Sequence, residues 1–306
     1  MKVPVRDQFS AALDALIAQV QQDRTVLAAI LGGSLSHDRV WEKSDIDLLL
    51  ITVDDALKGQ SSIALNADGV NVHALLMQRA EFRKVVERSV HQSFMHSFIA
   101  KSRVVFTRDD SISALCAQLQ RIGERDTHLA LLNAGIDVLP CLYKARKFLL
   151  TRGDLDYTAL WILYAATALA QVEVISARKL VDREVIPQAL ALNPAFFKTV
   201  YTDLLNAKKT KKGVQAALAA ADTYMATRAT RLFAPVIDYL RDAGDIRSAS
   251  DIEAHFSRSF GVVGVTTACE YLADQDILAK ASAPVRATKR SSTSLQELAF
   301  FLPDGE

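Results

Sequence analysis

From Asp7 to Gln21 the apolar residues Phe9, Leu13, Leu16, Ile17 and Val20 recur at three- or four-residue spacing, and this period predicts an amphipathic helix packed on the segments after it. The period then changes. Thr25 to Leu31 is apolar and β-branched and ends in Gly32-Gly33, which predicts a strand running into a turn where backbone must approach another group closely. Ile46 to Val53 reads as a second apolar strand. Ser62 to Ala67 and Val70 to Met77, joined by Asp68-Gly69, read as a hairpin with a tight turn. A helix from about Arg79 to Phe94, a short strand Val104 to Phe106 and a helix after Asp110 complete a mixed α/β domain over residues 1–120.

From about Asp126 to Thr230 the pattern is helical, with long Leu/Ala-rich segments. Asn193-Pro194 is placed as a cap followed by a first-turn proline. A helical bundle over residues 121–231 is expected, with a kink or break at Pro140. Residues 232–306 change again: a helix through Val236 to Arg241, one opened by Ser250 and one from Val265 to Gln275. Two candidate strands come after it, with Pro284 and the basic turn Lys289-Arg290 between them. Three short helices and a hairpin are winged-helix order. The fold class expected is therefore α/β with a mixed sheet, followed by an α-helical bundle and a small winged-helix-like α+β segment.

Composition bounds the rest. The chain has 306 residues, 50% hydrophobic and 23% charged, an ordinary globular balance with material for more than one core. With 36 basic and 35 acidic residues the net charge is +1, so no global field argues for nucleic acid or an anionic membrane. Cys116, Cys141 and Cys269 are scattered without metal-ligand spacing and read as buried thiols. With no basic start and cleavage site at the N-terminus, a cytoplasmic protein is expected. Tyr157 to Ile175 is the most apolar stretch, yet Gln171, Glu173 and its small residues favour a core helix over a membrane span.

Chemistry concentrates between Leu31 and Leu48. A strand ending in Gly32-Gly33-Ser34 can turn backbone N–H groups and a hydroxyl toward phosphate oxygens with no Cβ in the way. Ten residues separate Ser34 from Asp45, and Asp45 and Asp47 flank the apolar Ile46 at the start of the next strand. Period-two alternation puts both carboxylates on one face. Paired carboxylates suit Mg²⁺, which is commonly shared between protein carboxylates and triphosphate oxygens.

The Gly-Ser turn, the gap and the Asp-x-Asp strand together resemble the signature of the DNA polymerase β superfamily of nucleotidyltransferases. The helical region after it is similar in architecture to bacterial two-domain members such as kanamycin nucleotidyltransferase. The resemblance implies that Gly32, Gly33, Ser34 and Ser44 bind the triphosphate, ATP being the commonest in the family, and that Asp45 and Asp47 hold Mg²⁺. The family usually adds a third carboxylate on a neighbouring strand. Asn71 stands there, with His73 on the same strand face; an amide can ligate a metal but not take a proton, and a histidine can do either. Both are candidate catalytic residues. In two-domain relatives a base can come from the helical region, making Asp137 and Glu124 candidates, with Lys144 or Lys147 for phosphate charge.

The expectation is a transferase moving a nucleoside monophosphate, AMP by family habit, to a hydroxyl of a small molecule or protein, in a cleft between the α/β domain and the bundle. A competing class is a binding or regulatory protein that kept the fold without turnover, for which Asn71 and the winged-helix-like segment speak. An antitoxin-like transferase acting on a partner protein is a third. His37 and Arg39 read as solvated loop residues, and His91 and His96 are too poorly aligned for shared ligation. Lys208 to Lys212 reads as an interhelical loop. Arg286, Lys289 and Arg290 suit phosphates, but Glu270, Asp274 and Asp276 on the preceding helix oppose DNA.

Overall fold

The computed structural model describes residues 4–36, 40–54, 62–88, 102–119, 124–181, 184–288 and 290–303. The chain divides into two compact units, Met1–Ile122 and Gly123–Glu306.

The first unit is built on a five-stranded sheet. In chain order it contains α1 (Val5–Val20), β1 (Val26–Gly32), the single turn α2 (Gly33–Ser36), β2 (Ile46–Thr52), β3 (Ser62–Ala67), β4 (Val70–Gln78), α3 (Arg79–Arg88), β5 (Arg103–Thr107) and α4 (Asp110–Leu119). The strand order is β3-β4-β2-β1-β5. All pairs are antiparallel except β2 with β4. The helical stripe of α1 (Phe9, Leu13, Leu16 and Ile17) closes one core with Leu31, Ile46, Leu48, Val70 and Val72. Central strands β1 and β2 are buried almost throughout, which is why they read as continuous apolar runs. The hairpin expected at Asp68-Gly69 is present, with φ of 48° and 84°, the left-handed pair a tight two-residue turn requires. Asp54 fixes the start of α3 by accepting from Ala80 N–H at 2.7 Å. Of the helix expected to reach Phe94, the part past Arg88 lies outside the described residues.

The second unit opens on α5 (Glu124–Arg152) and α6 (Leu155–Ser176). Gly153, at φ 62°, ends α5, and Asp154 caps α6 by accepting from Tyr157 N–H at 3.0 Å. No break occurs at Pro140: α5 runs 29 residues through it. Proline removes one N–H and the flanking turns keep theirs. Val138, Leu139 and Leu142, all buried, anchor the helix on both sides of it. By length and composition α6 could cross a membrane, yet 61% of its most apolar window is buried within the chain.

Next come α7 (Val185–Leu192), α8 (Pro194–Phe197), a π-helical turn (Lys198–Thr202), α9 (Asp203–Asn206), α10 (Lys211–Ala226) and α11 (Ala229–Leu232). Asn193 caps α8 and Pro194 takes its first turn, as their types demand. Lys208 and Lys209 are exposed in the connection to α10.

The chain ends in α12 (Ala234–Ala243), β6 (Arg247–Ser248), α13 (Ala249–Phe260), α14 (Val265–Asp274), β7 (Ala279–Val285) and β8 (Leu295–Phe301), the strands ordered β6-β8-β7. Two sequence expectations change here. The cap of α13 is Ser248, which accepts from Asp251 N–H at 3.1 Å, and Ser250 is already helical. Pro284 lies inside β7 opposite Gln296, tolerated because β7 is an edge strand with one side free of ladder bonds.

Candidate functional site

Strand β2 carries the site because it has a neighbour on each side. The antiparallel register with β1 sets Gly32 across from Asp47, and the parallel register with β4 sets His73 across from the same residue. Asp45 lies just before β2, held by a turn in which Ser44 N–H donates to Trp41 carbonyl at 2.9 Å and Trp41 N–H donates to Ser44 Oγ at 3.1 Å. With Ile46 fully buried between them, Asp45 and Asp47 share one face. One donor atom from each of Asp45, Asp47 and His73 lies within 4.8 Å of the others.

His73 Nδ1 stands 3.1 Å from Asp45 Oδ2, with side chains 62% and 40% exposed. At that exposure water screens the attraction, so the pair contributes little to folding and is accessible to a ligand.

The glycine turn touches the same carboxylate. Gly33 has φ 66°, and a Cβ built on it would collide with Asp47 Oδ2. Ser34 follows in α2, whose single turn is closed by Ser36 Oγ donating to Gly33 carbonyl at 2.7 Å. The backbone thus folds against Asp47 at the point where the sequence suggests an anion cradle.

Asn71 comes one residue before the first pair of the parallel β2–β4 ladder, Ile46 with Val72, as Asp45 does on the β2 side. Asn71 lies across from Asn66 in the hairpin and lines a cleft of about 430 Å³ with Gln8, Phe9, Glu42 and Ser44. Position 71 shares a strand face with His73, as alternation requires, but the register puts His73 and not Asn71 beside Asp47. Alternation shows which residues share a face; only pairing shows which one meets Asp47, and β2 and β4 are joined through β3 rather than by a turn that would fix their offset.

The remaining candidates belong to the second unit. Lys144 Nζ sits 4.1 Å from the centroid of the Trp161 ring, linking α5 to α6. Lys147 is exposed one turn further on. Asp137 reaches solvent, but desolvation by its surroundings raises its carboxyl above the usual range. The side chain of Glu124, and His37, Arg39, His91, His96 and Lys289, lie outside the described residues.

No protein-family model and no curated protein matches the chain. Among solved structures it is similar to a nucleotidyltransferase-like protein from Exiguobacterium sibiricum, with a TM-score of 0.63 at 14% identity, over 95% of this chain and 98% of that one. The chain therefore has a nucleotidyltransferase-like fold.

Proposed function

We propose that the chain is a divalent-metal-dependent nucleotidyltransferase that moves a nucleoside monophosphate, AMP by family habit, onto a hydroxyl of a small molecule or protein. The observation that carries this reading is the meeting of Asp45, Asp47 and His73 against the Gly33 turn. Asp45 and Asp47 offer the oxygen ligands for the metal. Gly32, Gly33 and Ser34 offer N–H groups and a hydroxyl to phosphate oxygens. Ser44 shapes the turn before Asp45, and its hydroxyl proton is free to donate while its oxygen accepts from Trp41. In the reaction the acceptor oxygen attacks the α-phosphorus, its bond to the bridging oxygen breaks, and pyrophosphate leaves. The metal, when bound, offsets the charge on the phosphate oxygens. Within the first unit, His73 is the candidate receiver of the acceptor proton where its imidazole is not bound to the metal.

Calorimetric titration with ATP, GTP, CTP and UTP, with and without metal, tests the reading. Metal-dependent binding that disappears in the Asp45→Asn/Asp47→Asn variant supports it. Unchanged triphosphate affinity in that variant would defeat the site assignment.

A second reading, a regulator that binds nucleotide without turnover, is favoured by the lack of a carboxylate on β4 opposite Asp47. It expects metal-dependent nucleotide binding with no pyrophosphate release. DNA binding by a winged helix at the C-terminus has less support. α14, the helix that would enter a groove, closes against α5: a Cβ on Gly264 would stand 3.2 Å from Ile136. Burial, followed by the nearby charges of Asp274 and Glu270, pushes the Tyr143 phenol on α5 up to about 12.

A further inference from the structure

We infer that the Asp45-Asp47-His73 cluster is an imidazole-containing metal site that prefers Mn²⁺ to Mg²⁺. The inference rests on the proposed function for the identity of the site, and it adds the nature of the cation.

The donor set carries it. Mg²⁺ is bound through oxygen ligands and dehydrates reluctantly, whereas imidazole nitrogen favours first-row transition metals. Here the side chain that β4 sets across from Asp47 is a histidine, and the donor atoms of all three residues lie within 4.8 Å of one another. Two donors on adjacent corners of an octahedral ion, each about 2.1 Å from it, stand about 3 Å apart. The separation of His73 Nδ1 from Asp45 Oδ2 is 3.1 Å, which is that of such a pair. Among transition ions, Mn²⁺ also keeps the oxygen-rich octahedral shell that two carboxylates and a triphosphate provide. Nothing in the fold forces a histidine here: its side chain is 62% exposed, so its presence is not dictated by packing.

The same 3.1 Å separation also fits a hydrogen bond from the ring to the carboxylate, and the experiment separates the two. The full-length protein is titrated with MnCl₂ and with MgCl₂ by calorimetry, and pulsed electron paramagnetic resonance on the Mn²⁺-loaded protein records coupling to ligand nitrogen. The same is done for His73→Asp and His73→Ala, with thermal melts as the check that each variant is folded. The wild type should bind Mn²⁺ at least about tenfold more tightly than Mg²⁺ and show a nitrogen coupling. Both variants should lose the coupling, and His73→Asp should narrow the Mn²⁺/Mg²⁺ ratio by strengthening Mg²⁺. A wild type with no nitrogen coupling, or a ratio unchanged in His73→Asp, overturns the inference. Nucleotide binding separates its fate from that of the function. Metal-nucleotide binding lost in Asp45→Asn/Asp47→Asn, with no nitrogen coupling in the wild type, leaves the transferase reading standing alone. Nitrogen-coupled Mn²⁺ with no affinity for any triphosphate leaves the metal site standing and removes the transferase.

Discussion

Gly33 packs directly on the Asp47 carboxylate: a Cβ on Gly33 would stand 3.0 Å from Asp47 Cγ and would overlap its Oδ2. The two halves of the sequence motif are therefore one packing unit, and the left-handed φ of 66° at Gly33 adds a second reason for glycine there. Gly33→Ala should displace the Asp47 carboxylate, lower stability by about 1–3 kcal/mol and weaken metal-dependent triphosphate binding at least about tenfold. Calorimetry and a denaturant melt check both. An alanine variant that binds as the wild type does would show that the turn and the carboxylate are not coupled.

Asn71 and His73 are two residues apart on one strand face but should behave differently. Because only His73 pairs with Asp47, His73→Ala should weaken divalent-cation binding, whereas Asn71→Ala should leave it within about twofold. Equal losses in the two variants would place Asn71 in the cluster.

Asp109 gives the first unit an acid-sensitive point. Its carboxyl accepts from Ser111 Oγ at 2.6 Å and Ser111 N–H at 3.0 Å at the start of α4, and pairs with Arg79 at 3.3 Å. The Ser111 hydroxyl, then the Ser111 N–H and Arg79, hold its pKa below the usual value against the opposing effect of desolvation. A lowered folded pKa means a contribution fully present above the ordinary carboxylate pKa and lost as pH falls through the folded one. Asp109→Asn should cost about 1 kcal/mol near neutrality and nothing once both states are protonated, so the stability curves of the two proteins converge in acid. Parallel curves would contradict this.

Tyr224 ties three helices of the second unit together. Its phenol donates to Glu173 on α6 at 2.7 Å, its ring stacks on Phe196 of α8 at 4.3 Å, and Arg228 covers it at 3.9 Å. Burial first, then the bond to Glu173, raises the phenol pKa. Above the ordinary phenol value, near 10, the folded state holds a proton that the unfolded chain has lost, and stability falls as pH rises past that point. Tyr224→Phe should cost about 1–2 kcal/mol at neutral pH and remove this group's share of the alkaline loss, read from urea melts between pH 7 and 11.

At Gly135 two effects compete. Alanine would improve helix propensity in α5 by about 1 kcal/mol. Its Cβ, however, would stand 2.9 Å from Phe233 Cε1, a fully buried ring with nowhere to move. Overpacking wins in such sites, so Gly135→Ala should destabilise the protein by about 1–3 kcal/mol. A more stable variant would mean that the ring relocates.

Local chemistry was readable from the chain wherever a residue type has only one comfortable use. Asp68-Gly69 makes its turn, Asn193-Pro194 opens its helix, and the glycines and aspartates between Leu31 and Leu48 come together as their spacing suggests. What escaped depends on partners distant in sequence. Pro140 breaks an isolated helix, but α5 is held by buried neighbours on both sides. Pro284 reads as a turn until β7 is known to be an edge. That His73 stands across from Asp47 depends on the offset between β2 and β4, which no local pattern encodes.

The cluster comes from the start of β2 and from β4, both within the first unit and separated by β3, and this has a bearing on how such a gene can be rearranged. Recombination at the boundary after Ile122 would pass on every metal-ligand candidate as a single inherited block, free to be joined to a new partner module. A crossover inside β3 would separate His73 from the two aspartates, and its offspring would inherit an incomplete ligand set however well each half folded.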